Sequence, residues 1–122
     1  MSNVKLKFFP IEFLENHFIA FRVDKMSTIK VKFFARVREI VKTPRTEINV
    51  NGKIKLIDFM NLLANKYGSE FRDYVFKADQ IASHIMLMIN GDAANDHDVF
   101  LEENDTLAIL PPVGGGNILI LT

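Results

Sequence analysis

Pro111-Pro112-Val113-Gly114-Gly115-Gly116 is the stretch of this sequence whose residue types point to chemistry, and that chemistry belongs to the main chain. Three successive glycines carry no side-chain function. They give a slender backbone that threads a narrow channel and brings a carbonyl next to a reagent. The two prolines before them stiffen the exit from whatever precedes and remove two backbone donors. Such a segment suits a protein whose reactive group is its own C-terminal carboxylate. Six residues, Asn117-Ile118-Leu119-Ile120-Leu121-Thr122, follow the last glycine, so Gly116 ends the chain only after trimming. A plain glycine linker between a domain and a short tail is the competing reading.

Other side chains with chemical potential are less organised. Asp92, Asp96 and Asp98, with Asn95 and His97, crowd one stretch. A calcium loop needs oxygen ligands at alternating positions and a glycine at its sharp turn. Ala94 stands where a ligand belongs and His97 where the glycine belongs, which leaves a solvated hairpin loop. His17, His84 and His97 match no ligand spacing. Arg36, Arg38 and Glu39 lie together and read as surface charge on a short helix, or, for Arg38, as a group that holds a turn or a partner. Lys5, Lys7, Lys30 and Lys32 alternate with apolar residues, a pattern with a faint suggestion of nucleic-acid binding.

The bulk composition narrows the classes. Lys+Arg and Asp+Glu number 15 each, so no strong field attracts nucleic acid or anionic lipid. There is no cysteine, which excludes disulfides, thiolate metal sites and a cysteine nucleophile and fits a reducing interior. No apolar run approaches the ~20 residues that span a bilayer. Met1–Pro10 has lysines among its apolar residues and is not a secretory signal. A cytoplasmic protein without a membrane association is expected. The 122 residues fit one modest domain, with eleven phenylalanines to fill its core.

The elements that would position the glycines are legible from residue 26 onward. Met1–Phe9 returns at Met26–Phe34 with six of nine residues identical. Both copies alternate apolar residues with lysine, the period of a half-buried strand. Residues 1–25 therefore read as an extension carrying a partial duplication, in which Ile11–Leu14 and Phe18–Val23 could form a weak hairpin. Thr28–Phe34 is expected as a strand and Ala35–Val41 as a short helical turn with Val37, Ile40 and Val41 on one side. Arg45–Val50 alternates again, and Asn51-Gly52 signals a turn. Lys53–Tyr67 carries Leu56, Phe59, Met60, Leu63 and Tyr67 at helical spacing, with Gly68 closing the helix. Phe71–Phe76 reads as a second short helix or turn, His84–Asn90 as a strand before an Asn90-Gly91 turn, and Thr106–Leu110 as a last strand running into Pro111. The class is α+β, a mixed sheet wrapped over one main helix.

That order, ending in a glycine-rich strand exit, resembles the MoaD/ThiS family of ubiquitin-like, β-grasp sulfur carriers. Within it the likeness is greatest to the small subunit of molybdopterin synthase or of its tungsten counterpart. The thiamine-pathway carriers and the archaeal ubiquitin-like modifiers are more distant. The likeness covers roughly residues 28–116. It is carried by Val31-Lys32-Phe33-Phe34-Ala35-Arg36-Val37-Arg38-Glu39, by Ile89-Asn90-Gly91, by the turn from Leu101 to Asp105, and by Thr106 to Gly116.

The repeat at Met26 sets the start of the domain and the glycines its end, giving limits of 26–116 with 117–122 as a tail. The resemblance implies that Gly116 is the acyl carrier, with Gly114 filling the variable place before the final Gly-Gly. A MoeB-like adenylating enzyme would use ATP to activate the Gly116 carboxylate, and a sulfur donor would convert the adenylate to a thiocarboxylate. The large subunit of molybdopterin synthase would receive the tail. Pro111, Pro112, Val113, Gly114 and Gly115, with Phe34 and Arg38, would meet these partners. No bound cofactor and no metal are implied, and the chain would be a carrier rather than an enzyme. Two alternatives stay open: a ubiquitin-like modifier joined through Gly116 to lysines, and a β-grasp binding module that has lost acyl chemistry.

Overall fold

The structure, a computed structural model, describes residues 25–111. The expected hairpin in the extension, the duplicated strand at Val4–Phe9, and Pro112 to Thr122 lie outside the described residues.

Strand β1 (Met26–Phe33) buries Ile29, Val31 and Phe33 and turns Lys30 and Lys32 outward, as its alternation requires. Helix α1 (Ala35–Val41) follows at once and buries Val37 and Val41. It ends where Lys42 turns left-handed at φ 66° and donates its N–H to the Arg38 carbonyl at 2.8 Å. Strand β2 (Arg45–Asn51) then pairs antiparallel with β1, setting Ile29 against Ile48 and Lys30 against Glu47. Phe34, expected as the last residue of the strand, is the extended N-cap of α1.

The main helix α2 (Leu56–Tyr67) is shorter at its start than its apolar spacing suggests. Ile54–Lys55 form a two-residue strand β3, which pairs with β8 (Phe100–Leu101). The helix begins there because residues 97–99 receive it: Leu56 N–H donates to the Val99 carbonyl at 2.7 Å and Ile57 N–H to the His97 carbonyl at 2.9 Å. Two donors that a helix start leaves unpaired are thus satisfied. The aspartate-rich loop has this structural task, and inside it the Asp96 carboxylate accepts the Asp98 N–H at 2.9 Å. Leu56, Phe59, Met60 and Leu63 are fully buried, in the phase the sequence indicates, while Tyr67 is half-buried. Gly68, at φ 100°, separates α2 from a second short helix, α3 (Ser69–Val75).

Strands β4 (Phe76–Lys77) and β5 (Gln80–Ile81) form a small separate ladder. Strand β6 (Met86–Ile89) starts two residues later than expected, because Ile85 N–H is held in a turn by the Ala82 carbonyl. Strand β7 (Asp92–Ala93) pairs back on β6 through the Asn90-Gly91 turn, where both residues have positive φ. Strand β9 (Thr106–Leu110) closes the sheet between β1 and β6, parallel to β1 and antiparallel to β6. The order is β2-β1-β9-β6-β7. The helices cover one face of this sheet, and Phe33, Phe59 and Phe71 are the largest of the fully buried side chains in between.

Candidate functional site

The last strand, β9, carries the chain to Pro111 from the middle of the sheet. Leu107 and Ile109 of β9 are fully buried, which fixes the strand's register and direction. On one side Phe33 stands level with Ile109, the last register pair between β1 and β9. On the other side Met86 is paired with Leu110. Pro111, half-buried, is the last described residue and sits between the end of β1 and the start of β6.

The turn from β1 into α1 forms one wall of this exit. Ala35 adopts φ 51°, a left-handed conformation that disfavours a residue with a Cβ by roughly 1–2 kcal/mol. Arg38 holds the turn in place. Its Nε donates to the Phe33 carbonyl at 3.2 Å, its own N–H donates to the Phe34 carbonyl at 3.3 Å, and its guanidinium lies 5.7 Å from the Phe34 ring centroid. The three charged residues that stand together in the sequence therefore separate. Arg38 turns to the Phe33 carbonyl, whereas Arg36 reaches Glu39 at 3.3 Å and Glu70 at 3.0 Å. Those two pairs are exposed and contribute little to stability.

The opposite end of β9 is tied by a polar network. Asn90 donates its side-chain amide to Asp105 at 2.9 Å and accepts the Thr106 N–H at 2.9 Å. The Asp105 carboxylate also accepts the Glu102 N–H at 2.7 Å. Ile89-Asn90-Gly91 and the turn from Leu101 to Asp105, far apart in sequence, are thus two halves of one device that sets where β9 begins.

Sequence reasoning missed the outer face of the sheet. Met86, Met88 and Ala108 are half-buried and lie outside the core and the side chains packed against it, whereas their neighbour Leu110 is buried. Pairing of Lys32 with Ala108, Ala108 with Met88 and Leu110 with Met86 sets them on the face away from the helices. They form an apolar patch, with Lys30, Lys32 and Arg45 on the adjoining half of the face. The signal was present: Met86 and Met88 alternate with Leu87, but which alternate set faces outward depends on the neighbouring strand.

Pro112 to Gly116 lie outside the described residues, so the placement of those five site candidates is not described; Phe34 and Arg38 meet in the turn between β1 and α1, and Pro111 follows the last residue of β9.

Comparison with known proteins agrees with this geometry. A family model described as the ThiS family matches residues 31–116. The chain belongs to the ThiS family. The molybdopterin synthase sulfur carrier subunit of Drosophila erecta is 37% identical over 89 residues, which cover 72% of this chain and 90% of the relative. The small archaeal modifier protein 1 of Methanosarcina acetivorans, in its solution structure, is 33% identical with a TM-score of 0.59, covering 75% of this chain and 99% of that one. SAMP1 of Haloferax volcanii superposes with a TM-score of 0.62 over 74% of this chain and 100% of its own, at 24% identity, a likeness of fold. The fold of this ThiS-family chain is the ubiquitin-like β-grasp. Its family match ends on Gly116, the last glycine of the triplet.

Proposed function

We propose that this chain is a sulfur carrier of the molybdopterin-synthase type, acting through the carboxylate of Gly116. The observation that carries the reading is the family match running from β1 to Gly116, joined to the shared name of relatives such as the Drosophila erecta protein. The position of β9 supports it: the strand lies centrally between β1 and β6 and runs directly into Pro111, at the start of the Pro-Pro-Val-Gly-Gly-Gly motif. The chain is then a carrier substrate, and the catalytic groups belong to its partners.

In this reading an adenylating enzyme of the MoeB type joins the Gly116 carboxylate to AMP from ATP and releases pyrophosphate. A sulfur donor displaces AMP to leave a thiocarboxylate, and the large subunit of the synthase receives the tail. The Phe34–Arg38 turn and Pro111 to Gly115 meet these partners. Residues 117–122 are removed first, residues 26–116 form the carrier domain, residues 1–25 are an extension, and the working compartment is the cytoplasm.

The test uses the full chain and a chain ending at Gly116, each incubated with a cognate activating enzyme, ATP and labelled pyrophosphate. The expected result is exchange with the trimmed chain alone, and an intact mass that gains one sulfur-for-oxygen exchange when a sulfur donor is added. Exchange with neither chain, by an enzyme active on its own carrier, would sink the proposal in favour of a binding module. A second reading, a protein modifier, is favoured by the likeness to the Methanosarcina acetivorans modifier protein. Lysine conjugates of the chain in lysates would identify it.

A further inference from the structure

The chain has no net charge, yet the pairing of β1 with β2 lays charges out in order along the outer face of the sheet. Lys32 and Arg45, both exposed, are the last register pair of these strands, at the end where β9 leads into Pro111. Lys42, also exposed, lies at the same end, two residues before Pro44, whose carbonyl accepts the Phe33 N–H at 2.9 Å. Lys30 comes next along β1, opposite Glu47, and the two signs balance. Thr28 follows, and its hydroxyl donates to the Asn49 side-chain carbonyl at 2.8 Å. There the Glu103 carboxylate accepts the Thr28 N–H at 2.6 Å, and the Asp105 carboxylate accepts from Glu102 and Asn90. The face passes from cationic through neutral to anionic over about 13 Å of β1, from Lys32 to Thr28. Lys25 stands further back along the chain, outside that interval.

Folding does not call for the cationic end. Like charges directly opposite each other on neighbouring strands are destabilising. Glu39 of α1 and Glu70 of α3 are both engaged by Arg36, and among the described residues no carboxylate lies within ion-pair distance of Lys32, Lys42 or Arg45. We propose that Lys32, Lys42 and Arg45 dock a protein partner whose surface carries carboxylates around the entrance that receives the segment after Pro111. The identity of that partner rests on the carrier reading.

Charge order gives the docking a direction. The screening length at physiological salt is about 8 Å, shorter than the interval between the two ends. An acidic surface is therefore drawn to the end beside Pro111 and turned away from the end beside Glu103 and Asp105. Complementary charge of this kind speeds encounter and rejects wrong orientations. The layout suits a carboxylate surface better than a nucleic acid. Glu47 interrupts the cations on the next rung, so the face offers a short cationic end and no track for successive phosphates.

The chain ending at Gly116 tests this with a cognate activating enzyme in pyrophosphate exchange over a range of salt. A Lys32→Glu, Arg45→Glu variant should raise KM roughly tenfold or more at low salt with the maximal rate unchanged, and the difference should shrink as salt rises. Glu102→Lys, at the other end of the face, should leave KM unchanged. Lys32→Glu alone sets opposite signs across the rung, so a raised KM with undiminished thermal stability separates docking from folding. Exchange by the unaltered chain with the same KM in the doubly reversed variant would overturn the docking surface and leave the carrier reading standing. No exchange by the unaltered chain would remove the carrier reading and this partner with it. Binding of a labelled single-stranded oligonucleotide that the double reversal abolishes, with KM unmoved, would overturn the proposal and assign the cations to nucleic acid.

Discussion

Arg38 donates its Nε to the carbonyl of Phe33 at 3.2 Å, tying the first turn of α1 to the end of the strand that flanks the exit. The carbonyl is the last one β1 offers before the chain turns, and Phe34, the next residue, is the extended N-cap of α1. An exposed arginine therefore works through the backbone it holds.

Replacement of Arg38 should separate stability from partner engagement. Arg38→Ala removes one hydrogen bond to a partly buried acceptor and should lower stability by about 0.5–1.5 kcal/mol in urea unfolding. The same substitution in the Gly116-terminated chain should raise the KM for pyrophosphate exchange at least tenfold with little change in the maximal rate. Arg38→Lys keeps the charge but lacks the Nε donor in its fixed plane, and should recover less than half of the loss. An unchanged KM in both variants would confine Arg38 to a structural role.

At the other end of β9, Asn90 and Asp105 are expected to act as a unit. Asn90→Ala loses two side-chain hydrogen bonds and places alanine at φ 53°, so it should destabilise by about 1–3 kcal/mol. A double-mutant cycle with Asp105→Ala should give a coupling of about 0.5–3 kcal/mol. Additive effects would show that the two turns are pinned separately and that the network is incidental.

The legible parts of this fold are those whose pattern is local. Helix α2 could be phased from Leu56, Phe59, Met60 and Leu63 because burial repeats with the helical period. Thr106–Leu110 is bounded by Pro111, and its limits agree with the structure. Strands β3, β4, β5, β7 and β8 are two residues each, too short for alternation to register. They exist through partners elsewhere: Ile54 pairs with Leu101, and that pairing draws Ile54–Lys55 out of the expected helix. The Pro-Pro-Val-Gly-Gly-Gly motif was visible in the sequence, but the outer-face patch of Met86, Met88 and Ala108 joins residues from two strands. Arg36 and Arg38 look equivalent in sequence, and only folding sends one to Glu70 and the other to the Phe33 carbonyl.

A chain that starts at Met26 tests the domain limit. The described fold begins at Lys25, whose carbonyl accepts the Gly52 N–H at 2.8 Å. Loss of that bond should lower stability by no more than about 0.5–1.5 kcal/mol, with cooperativity and helix content unchanged. Size-exclusion chromatography should give the same oligomeric state for both chains. A change of state would show that Val4–Phe9, the near-copy of Ile29–Phe34, pairs with a β1 slot or edge in another chain, and unfolding of the shortened chain would place the domain boundary earlier.

The final glycines give the sharpest contrast between folding and chemistry. Leu107 and Ile109 anchor β9, and Pro111 follows the ladder's last residue. Gly115→Val in the Gly116-terminated chain should leave thermal unfolding unchanged. It should reduce pyrophosphate exchange at least tenfold, because a β-branched side chain widens the segment and restricts the backbone next to the carboxylate that phosphate and sulfur must approach in line. Gly114→Val alters the variable position of the motif and should be tolerated better. Equal tolerance of valine at both positions would mean that no narrow channel receives this tail, and the slenderness of the glycine triplet would then need another explanation.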